Sequence, residues 1–181
     1  MQTENTAIHD VKIITPRLFG DERGFFLERY NKNRYSGVLG DCEFVQDNHS
    51  KSTKGVLRGL HFQNPKAQGK LVRVTSGAVY DVVVDIRPDS PTFKTYIGVE
   101  LNGKEQKQLW VPPGLAHGFL TLEDDTEFLY KCTDFYHPDY EYSLLWNDSE
   151  LNIQWPQLDV DYIISEKDKK GLTLQEILSI L

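Results

Sequence analysis

The chain has 181 residues, a formal net charge of −7 and aromatic side chains at 12% of its positions. A chain of this length suits a single domain over residues 1–181 and can bury a sizeable core. Its acidic charge argues against nonspecific binding to nucleic acid and against attraction to an anionic membrane surface. A phosphate-bearing small ligand would need a local cluster of Arg and Lys.

Short apolar or alternating runs, separated by Gly, Pro, Asn and Asp, fill most of the chain and predict β-strands. In chain order the predicted strands cover residues 11–14, 25–30, 43–47, 55–62, 70–75, 78–86, 95–101, 107–111, 118–122 and 127–133. Many strands at short spacing predict a mostly-β, two-sheet jelly roll or barrel, because closure of the sheets removes exposed edges.

The strand predicted over residues 78–86 has two unlike faces. Period-two alternation places Asp81 and Asp85 on one face, and the opposite face is apolar. In an isolated strand the carboxylates would meet water, whereas in a closed barrel they could equally line a polar cavity. Both interpretations stay open.

The C-terminal tail differs from the rest of the chain. Thr173 and Glu176 have the spacing of a capping box, and Leu174 and Ile177 share one helical face. We therefore predict one C-terminal helix that packs against the barrel.

Two cysteines, Cys42 and Cys132, lie far apart in a chain too long to need a disulfide. We interpret them as free thiols in a reducing compartment, packed as small core residues. The N-terminus lacks a basic region followed by an apolar stretch, and no segment approaches the roughly 18 apolar residues of a membrane span. A cytoplasmic protein is expected.

Two histidines, His61 and His117, lie in apolar surroundings. A single buried His is more often a core residue than a catalyst, but two of them, with Arg58 and Lys70 close to the first, favour a functional site.

Arg58 and His61 are three residues apart, so a regular strand would direct their side chains to opposite faces. If both side chains belong to one site, we predict that Gly59 supplies a bulge or bend that turns them toward the same cavity.

Motifs for metals and cofactors are absent from the sequence. The residue two positions after His61 is Gln63, so there is no H-x-H pair, and there is no C-x-x-C. Dinucleotide, Walker and nucleophile-elbow patterns are also missing. We expect no metal and no cofactor. General acid–base chemistry remains, in which a neutral His accepts a proton, a carboxylate fixes its tautomer and a Tyr returns a proton from the opposite face.

Nine runs of residues, in order along nearly the whole chain, resemble the dTDP-4-dehydrorhamnose 3,5-epimerase family. They cover residues 19–28, 46–50, 56–61, 68–74, 85–93, 108–112, 116–119, 130–131 and 146–148. This resemblance implies a metal-free cupin jelly roll with short peripheral helices and a C-terminal helix. It also implies a dimer that acts on a nucleotide-linked 4-keto-6-deoxy sugar.

The implied reaction converts dTDP-4-dehydro-6-deoxy-D-glucose to dTDP-4-dehydro-L-rhamnose by proton abstraction at C3 and C5, on the pathway to dTDP-L-rhamnose. By position, the family implies His61 as the proton acceptor, Asp168 as its orienting carboxylate and Tyr130 as the proton donor. Lys70 is implied near the enolate oxygen.

The family also implies substrate contacts. Arg58 and Arg23 match positions that bind the diphosphate, and Arg23 and Glu28 are expected from the partner subunit of a homodimer. Further positions that match ligand contacts are Gln46, Asp47, Asn48, His117, Glu141 and Lys167.

Plainer interpretations exist for several of these residues. Asp168 follows Ser165 at the spacing of a helix cap, and Tyr130 fits an ordinary strand position. Lys70 could be solvated, and Arg23 could belong to a polar turn.

Three other functions stay open beside the double epimerase. An epimerase of C3 or C5 alone would use the same residues. A cupin ketoisomerase fits the motifs less well, and a non-catalytic sugar-nucleotide-binding cupin is disfavoured because the predicted catalytic residues are all present.

Overall fold

The structure is a computed structural model that describes residues Met1–Leu181. Its strands are β1 (Gln2–Asn5), β2 (Lys12–Thr15), β3 (Leu18–Asp21), β4 (Gly24–Leu27), β5 (Gln46–Ser52), β6 (Val56–Gln63), β7 (Lys70–Ser76), β8 (Ala78–Asp85), β9 (Tyr96–Asn102), β10 (Gln108–Val111), β11 (Leu115–Thr121), β12 (Thr126–Cys132), β13 (Glu141–Ser143) and β14 (Ile163–Ile164). Its helices are α1 (Lys32–Leu39), α2 (Glu166–Lys169) and α3 (Leu174–Leu178), with a 3₁₀ turn at Pro138–Tyr140.

The strands form two main sheets. Sheet I has the order β1-β2-β10-β7-β12-β5, and sheet II has the order β13-β6-β11-β8-β9 with β14 parallel to β6. The remaining strands, β3 and β4, form a separate hairpin. Two packed, mainly antiparallel sheets, in which neighbouring strands are mostly not consecutive in the chain, confirm the predicted jelly roll.

The main core lies between the two sheets. Val72 of β7 and Phe128 of β12, from sheet I, share a buried cluster with Val83 of β8 and Phe119 of β11, from sheet II. Since side chains alternate along a strand, the residues between these point to the outer faces. Each fully buried side chain of this size contributes about 1.5–3 kcal/mol of transfer free energy.

The C-terminal segment covers the outer face of sheet II. Val82 and Val84 of β8 pack there against Leu174 and Ile177 of α3. The capping box at Thr173 has both of its hydrogen bonds. The predicted C-terminal helix is therefore confirmed, and its role is to close this outer face.

Helix α1, which the sequence pattern did not predict, covers the outer face of sheet I. Tyr35 and Leu39 pack there on Leu71 and Trp110. These two are the buried residues of the helix. Two buried apolar positions are too few to show a helical repeat in the sequence.

Each of the ten predicted strands corresponds to an observed strand, with shifted boundaries. The strand predicted over residues 43–47 in fact runs from Gln46 to Ser52. Its inward positions are polar, so hydrophobic alternation does not mark them. The strand predicted from residue 118 begins at Leu115. The sequence pattern did not predict β1, β3, β13 or β14, and all the residues of β1 and β3 are exposed.

Both cysteines are free thiols, as predicted, and Cys132 is buried. None of the helices has the length and apolar character needed to cross a membrane.

Candidate active site

A cavity of about 370 Å³ lies between strands of the two sheets. Strands β5, β7 and β12 of sheet I form one wall, and β6 and β11 of sheet II form the other. Eight of the residues predicted for the site line it: Asn48, Arg58, His61, Lys70, His117, Tyr130, Glu141 and Lys167.

A bulge in β6 brings Arg58 and His61 to the same cavity. His61 pairs with His117 across the sheet and Arg58 pairs with Phe119, so three steps along β6 oppose two along β11. The extra residue lies at Gly59, whose φ is +114°. A Cβ there would lie 2.6 Å from the Cα of Gly118. The predicted bulge is confirmed, and only glycine fits its backbone and its close approach to β11.

His61 is hydrogen-bonded to the carboxylate of Asp168. Its Nε2 lies 2.7 Å from Asp168 Oδ1. Burial alone would raise the pKa of Asp168, but hydrogen bonds from His61, Ser165 and Gly59 outweigh it and the pKa is lowered. An ionised Asp168 holds the proton on His61 Nε2, so Nδ1 carries the lone pair of a general base.

The helix cap that competed with a catalytic role for Asp168 is also present. Ser165 caps α2, and its Oγ accepts the amide hydrogen of Asp168 at 3.1 Å. The cap bond is made to the backbone amide of Asp168, while its carboxylate meets His61 through Oδ1 and the amide of Gly59 through Oδ2. The two interpretations are therefore compatible, because α2 is the element that positions the carboxylate.

The side chain of Lys70 lines the cavity. Burial lowers its pKa, while the charges of Cys132, Glu141 and Asp81 act in the opposite direction. Its Nζ lies 3.5 Å from the carbonyl oxygen of His61, which is its hydrogen-bond acceptor in the protein. A cation held without a carboxylate partner is free to meet a negative oxygen on a ligand.

Tyr130 lies on β12, in the wall opposite His61. Burial raises the pKa of Tyr130, and the charge of Arg58 opposes this effect. The phenol is therefore protonated at neutral pH. From the wall formed by sheet I, it can donate a proton to a ligand that lies between it and His61.

A second His–Asp pair, which the sequence interpretation did not assign, lies beside the first. His117 Nε2 is 2.9 and 3.0 Å from the two carboxylate oxygens of Asp81. Burial raises the pKa of Asp81 above its ordinary value, although the neighbouring His117 and Lys70 act in the opposite direction. Of the two environments left open for this face of the strand, the interior is the one observed. In the sequence, the position of Asp81 within the apolar run of β8 was the feature that could have indicated this pair.

The rim of the cavity carries an ion-pair cluster and a free cation. Tyr136 donates to Glu141 Oε2 at 2.8 Å, and Lys167 pairs with the same oxygen. Arg58 donates to Ser52 Oγ, from Nε at 3.4 Å and from Nη2 at 3.2 Å, and has no carboxylate partner. Tyr136 lines the cavity although sequence analysis did not select it.

Four predicted ligand contacts lie outside the cavity of this chain. Gln46 accepts the amide hydrogen of Tyr136 and donates to Asn48. Asp47 alternates to the outer face of β5, where it pairs with Lys131 at 2.6 Å. On the β3–β4 hairpin, Arg23 pairs with Asp21 in the polar turn. Glu28 pairs with Arg34 at 3.2 Å.

The histidine, cysteine and acidic side chains form no group of three or more that could hold a metal ion. Gln63, at the position where an H-x-H pair would place its second His, bonds to backbone groups.

Comparison with known proteins decides the family. A sequence model described as dTDP-4-dehydrorhamnose 3,5-epimerase matches residues 5–176. The chain belongs to this family. The epimerase of Pseudomonas aeruginosa is 51% identical to it over 172 residues, 94% of either chain. That of Escherichia coli K12 is 50% identical over 182 residues, 99% of this chain and 98% of the relative.

Solved structures of epimerases share the fold. The dTDP-6-deoxy-D-glucose-3,5-epimerase of Legionella pneumophila, in complex with dTDP-4-keto-L-rhamnose, superimposes with a TM-score of 0.96 at 48% identity, over 99% of this chain and 96% of that one. A 3'-monoepimerase of Streptomyces bikiniensis, in complex with dTDP-quinovose, has a TM-score of 0.91 at 32% identity, over 98% and 91%. The resemblance inferred from the sequence is confirmed.

Proposed function

We propose that this protein is a dTDP-4-dehydrorhamnose 3,5-epimerase, which converts dTDP-4-dehydro-6-deoxy-D-glucose to dTDP-4-dehydro-L-rhamnose in dTDP-L-rhamnose biosynthesis. The observation that carries the proposal is the His61–Asp168 pair, inside a cavity whose opposite wall holds Tyr130. Identity near 50% to relatives of that name, over almost the whole chain, supports it.

The proposed chemistry follows from the C4 ketone, which acidifies the C–H bonds at C3 and C5. His61 Nδ1 removes one of these protons, and the electron pair moves to the C4 oxygen to form an enolate. Lys70 stabilises that oxygen in the transition state more than in the ground state. Tyr130 returns a proton to the carbon from the opposite face, which inverts the centre. Protons move and no oxidation state changes, so the reaction needs no redox cofactor.

We assign the binding of the nucleotide end to the rim of the cavity. The guanidinium of Arg58, which has no carboxylate partner, suits the diphosphate because its planar fork can hold two oxygens. Asn48, His117, Glu141 and Lys167 line the same cavity and offer polar contacts. Gln46 acts through its hydrogen bonds to Asn48 and to the backbone of Tyr136.

We also propose a homodimer in which Arg23 and Glu28 complete the cavity of the partner subunit. The β3–β4 hairpin that carries Arg23 exposes four large apolar side chains, Leu18, Phe19, Phe25 and Phe26, the last at 69%. A patch of this kind is typical of a protein interface. The free thiols Cys42 and Cys132 support a location in the cytoplasm.

A second candidate is inversion at one centre only. The Streptomyces bikiniensis relative, a 3'-monoepimerase, shares the fold with a TM-score of 0.91. The fold therefore does not set the number of centres that are inverted.

Incubation with dTDP-4-keto-6-deoxyglucose in deuterated water tests both candidates. We expect deuterium at C3 and at C5, detected by NMR or mass spectrometry. Label at one position would indicate the single-centre enzyme, and no label would reject epimerisation. His61→Ala should abolish exchange, whereas His9→Ala, an exposed histidine outside the cavity, should leave it unchanged.

A further inference from the structure

The segment between β12 and β13 forms one lip of the cavity. It carries Tyr136, whose ring lines the cavity and is half exposed. His61 lies deeper, with 29% of its side chain exposed. A sugar that reaches His61 must therefore leave the nucleotide part of the substrate nearer to the lip and to Tyr136.

Three glutamine side chains hold the backbone of this lip. Gln68 Nε2 donates to the carbonyl of Asp134 at 2.9 Å. Gln46 Oε1 accepts the amide hydrogen of Tyr136 itself at 2.8 Å. Gln63, on β6, makes the remaining contacts. Between Asp134 and His137 the backbone of the lip is held largely by side-chain amides, since these residues lie outside the ladders of both sheets.

The side chain of Gln63 hydrogen-bonds to the backbone on both sides of Tyr136. Its Oε1 accepts the amide hydrogen of His137 at 2.8 Å, and its Nε2 donates to the carbonyl of Phe135 at 3.2 Å and to that of Lys66 at 2.7 Å. The side chain is 4% exposed, so both halves of its amide are used inside the protein. A buried polar group with every bond made fixes its partners strongly.

Gln63 also belongs to the strand of the catalytic base. It follows His61 by two residues on β6 and therefore shares its face of the sheet. The same strand consequently sets the position of His61 at one end of the cavity and, through the Gln63 amide, that of Tyr136 at the other.

We propose that Gln63 is a positioning residue for the nucleotide part of the substrate, and that it acts by fixing Tyr136 at the lip of the cavity. The inference rests on the proposed function. Tyr136 presents an aromatic face to the entrance, and its hydroxyl is tied to Glu141 at 2.8 Å. With the backbone on either side held by Gln63, the ring is ordered before the ligand arrives, which lowers the entropy lost on binding.

The test compares Gln63→Leu and Gln63→Glu with the wild type, by steady-state kinetics on the dTDP-4-keto sugar and by calorimetric titration with dTDP. We expect KM and the Kd for dTDP to rise about tenfold in Gln63→Leu, while kcat stays within about twofold, since ground-state binding is lost and the reacting groups are unchanged. Gln63→Glu keeps the side-chain volume and the bond from His137 but loses both donated bonds. It should show the same split, and it serves if the leucine variant does not fold.

Gln108→Leu is the matched control for a purely structural glutamine. Gln108 is fully buried and bonded to Tyr35 and to the backbone of Arg29, outside the cavity. Its loss should lower the melting temperature and leave KM unchanged. In a Tyr136→Ala background, Gln63→Leu should raise KM no further, because the ring it positions is gone.

Unchanged KM and Kd in both Gln63 variants, a loss carried by kcat, or full additivity with Tyr136→Ala would each overturn the inference. The proposed function fails differently. In that case the wild type itself would incorporate no deuterium at C3 or C5, before any variant is compared.

Discussion

Asp168 has two roles: its backbone amide takes part in a helix cap, and its carboxylate forms the catalytic pair with His61. Ser165 holds its amide, and His61 holds its carboxylate. Asn at this position keeps the shape and can still meet the imidazole, but it removes the charge that fixes the tautomer and stabilises the imidazolium. We expect Asp168→Asn to lower kcat about 100-fold or more, measured by deuterium exchange. Thr173→Ala, the control, removes the cap of α3 away from the cavity, and it should cost about 1 kcal/mol of unfolding free energy and retain most activity.

The same pair makes a prediction about pH. Because the pKa of Asp168 is lowered in the folded state from its ordinary 3.8, its ionised form stabilises the protein above that value. The stabilisation is lost as the pH falls through the folded pKa. Urea unfolding of wild type and Asp168→Asn should therefore show a difference that is constant near neutrality and shrinks below about pH 4. A difference that grows in acid would contradict the assignment.

Asp81 faces both His117 and Lys70 from the interior. Its charge raises the pKa of Lys70 against the burial that lowers it. In Asp81→Asn the amide removes that charge, so the pKa of Lys70 should fall further and the cation should be lost at lower pH. We expect the alkaline limb of the kcat/KM profile to move to lower pH, with the acidic limb set by the other groups. If the alkaline limb does not move, Asp81 does not influence the pKa of Lys70, and the prediction is wrong.

At the scale of single elements, the bulge in β6 is the feature on which the site geometry depends. Gly59→Ala would place a Cβ 2.6 Å from the Cα of Gly118, at a φ of +114° that side chains rarely adopt. We expect a loss of about 2 kcal/mol or more in urea unfolding, together with loss of exchange activity, because Arg58 and His61 no longer share a face. Gly37→Ala in α1 has open space around the new Cβ and should be neutral or stabilising.

Most strands could be predicted from the sequence because apolar alternation records burial directly. The bulge could also be predicted, because the family resemblance assigns both Arg58 and His61 to the site although they stand three residues apart around Gly59. Strand β5 was found only in part, because its inward side chains, such as Asn48, are polar and line the cavity rather than the core. Helix α1 could not be predicted, because only Tyr35 and Leu39 are buried in it and two apolar positions do not define a helical period.

The site was less predictable than the fold. The motifs that carry the family resemblance located His61 and Lys70, but a motif does not say which way a side chain points. Asp47 lies inside such a motif and still faces outward, because both neighbours on β5 point in. Gln63 and Tyr136 escaped selection, since their importance comes from hydrogen bonds between segments about 70 residues apart in the chain. Such contacts leave no local pattern.

At the scale of the whole molecule, the exposed hairpin and the position of Arg23 on it lead to one prediction. Within a single chain Arg23 pairs with Asp21 and does not line the cavity. If the hairpin of one subunit completes the cavity of the other, His61→Ala and Arg23→Ala, each inactive alone, should complement each other. A mixed dimer has one cavity with both defects and one with neither.

Equal amounts of the two variants, mixed and allowed to exchange subunits, should recover about a quarter of the wild-type exchange rate, because random pairing of a two-fold dimer makes half of the dimers mixed, each with one intact cavity. Light scattering should show a dimer throughout. Phe26→Asp, which places a charge in the apolar patch of the hairpin, should yield monomers and abolish the recovery. If Arg23 instead served the cavity of its own chain, every cavity in the mixture would carry a defect, and mixing would restore no activity.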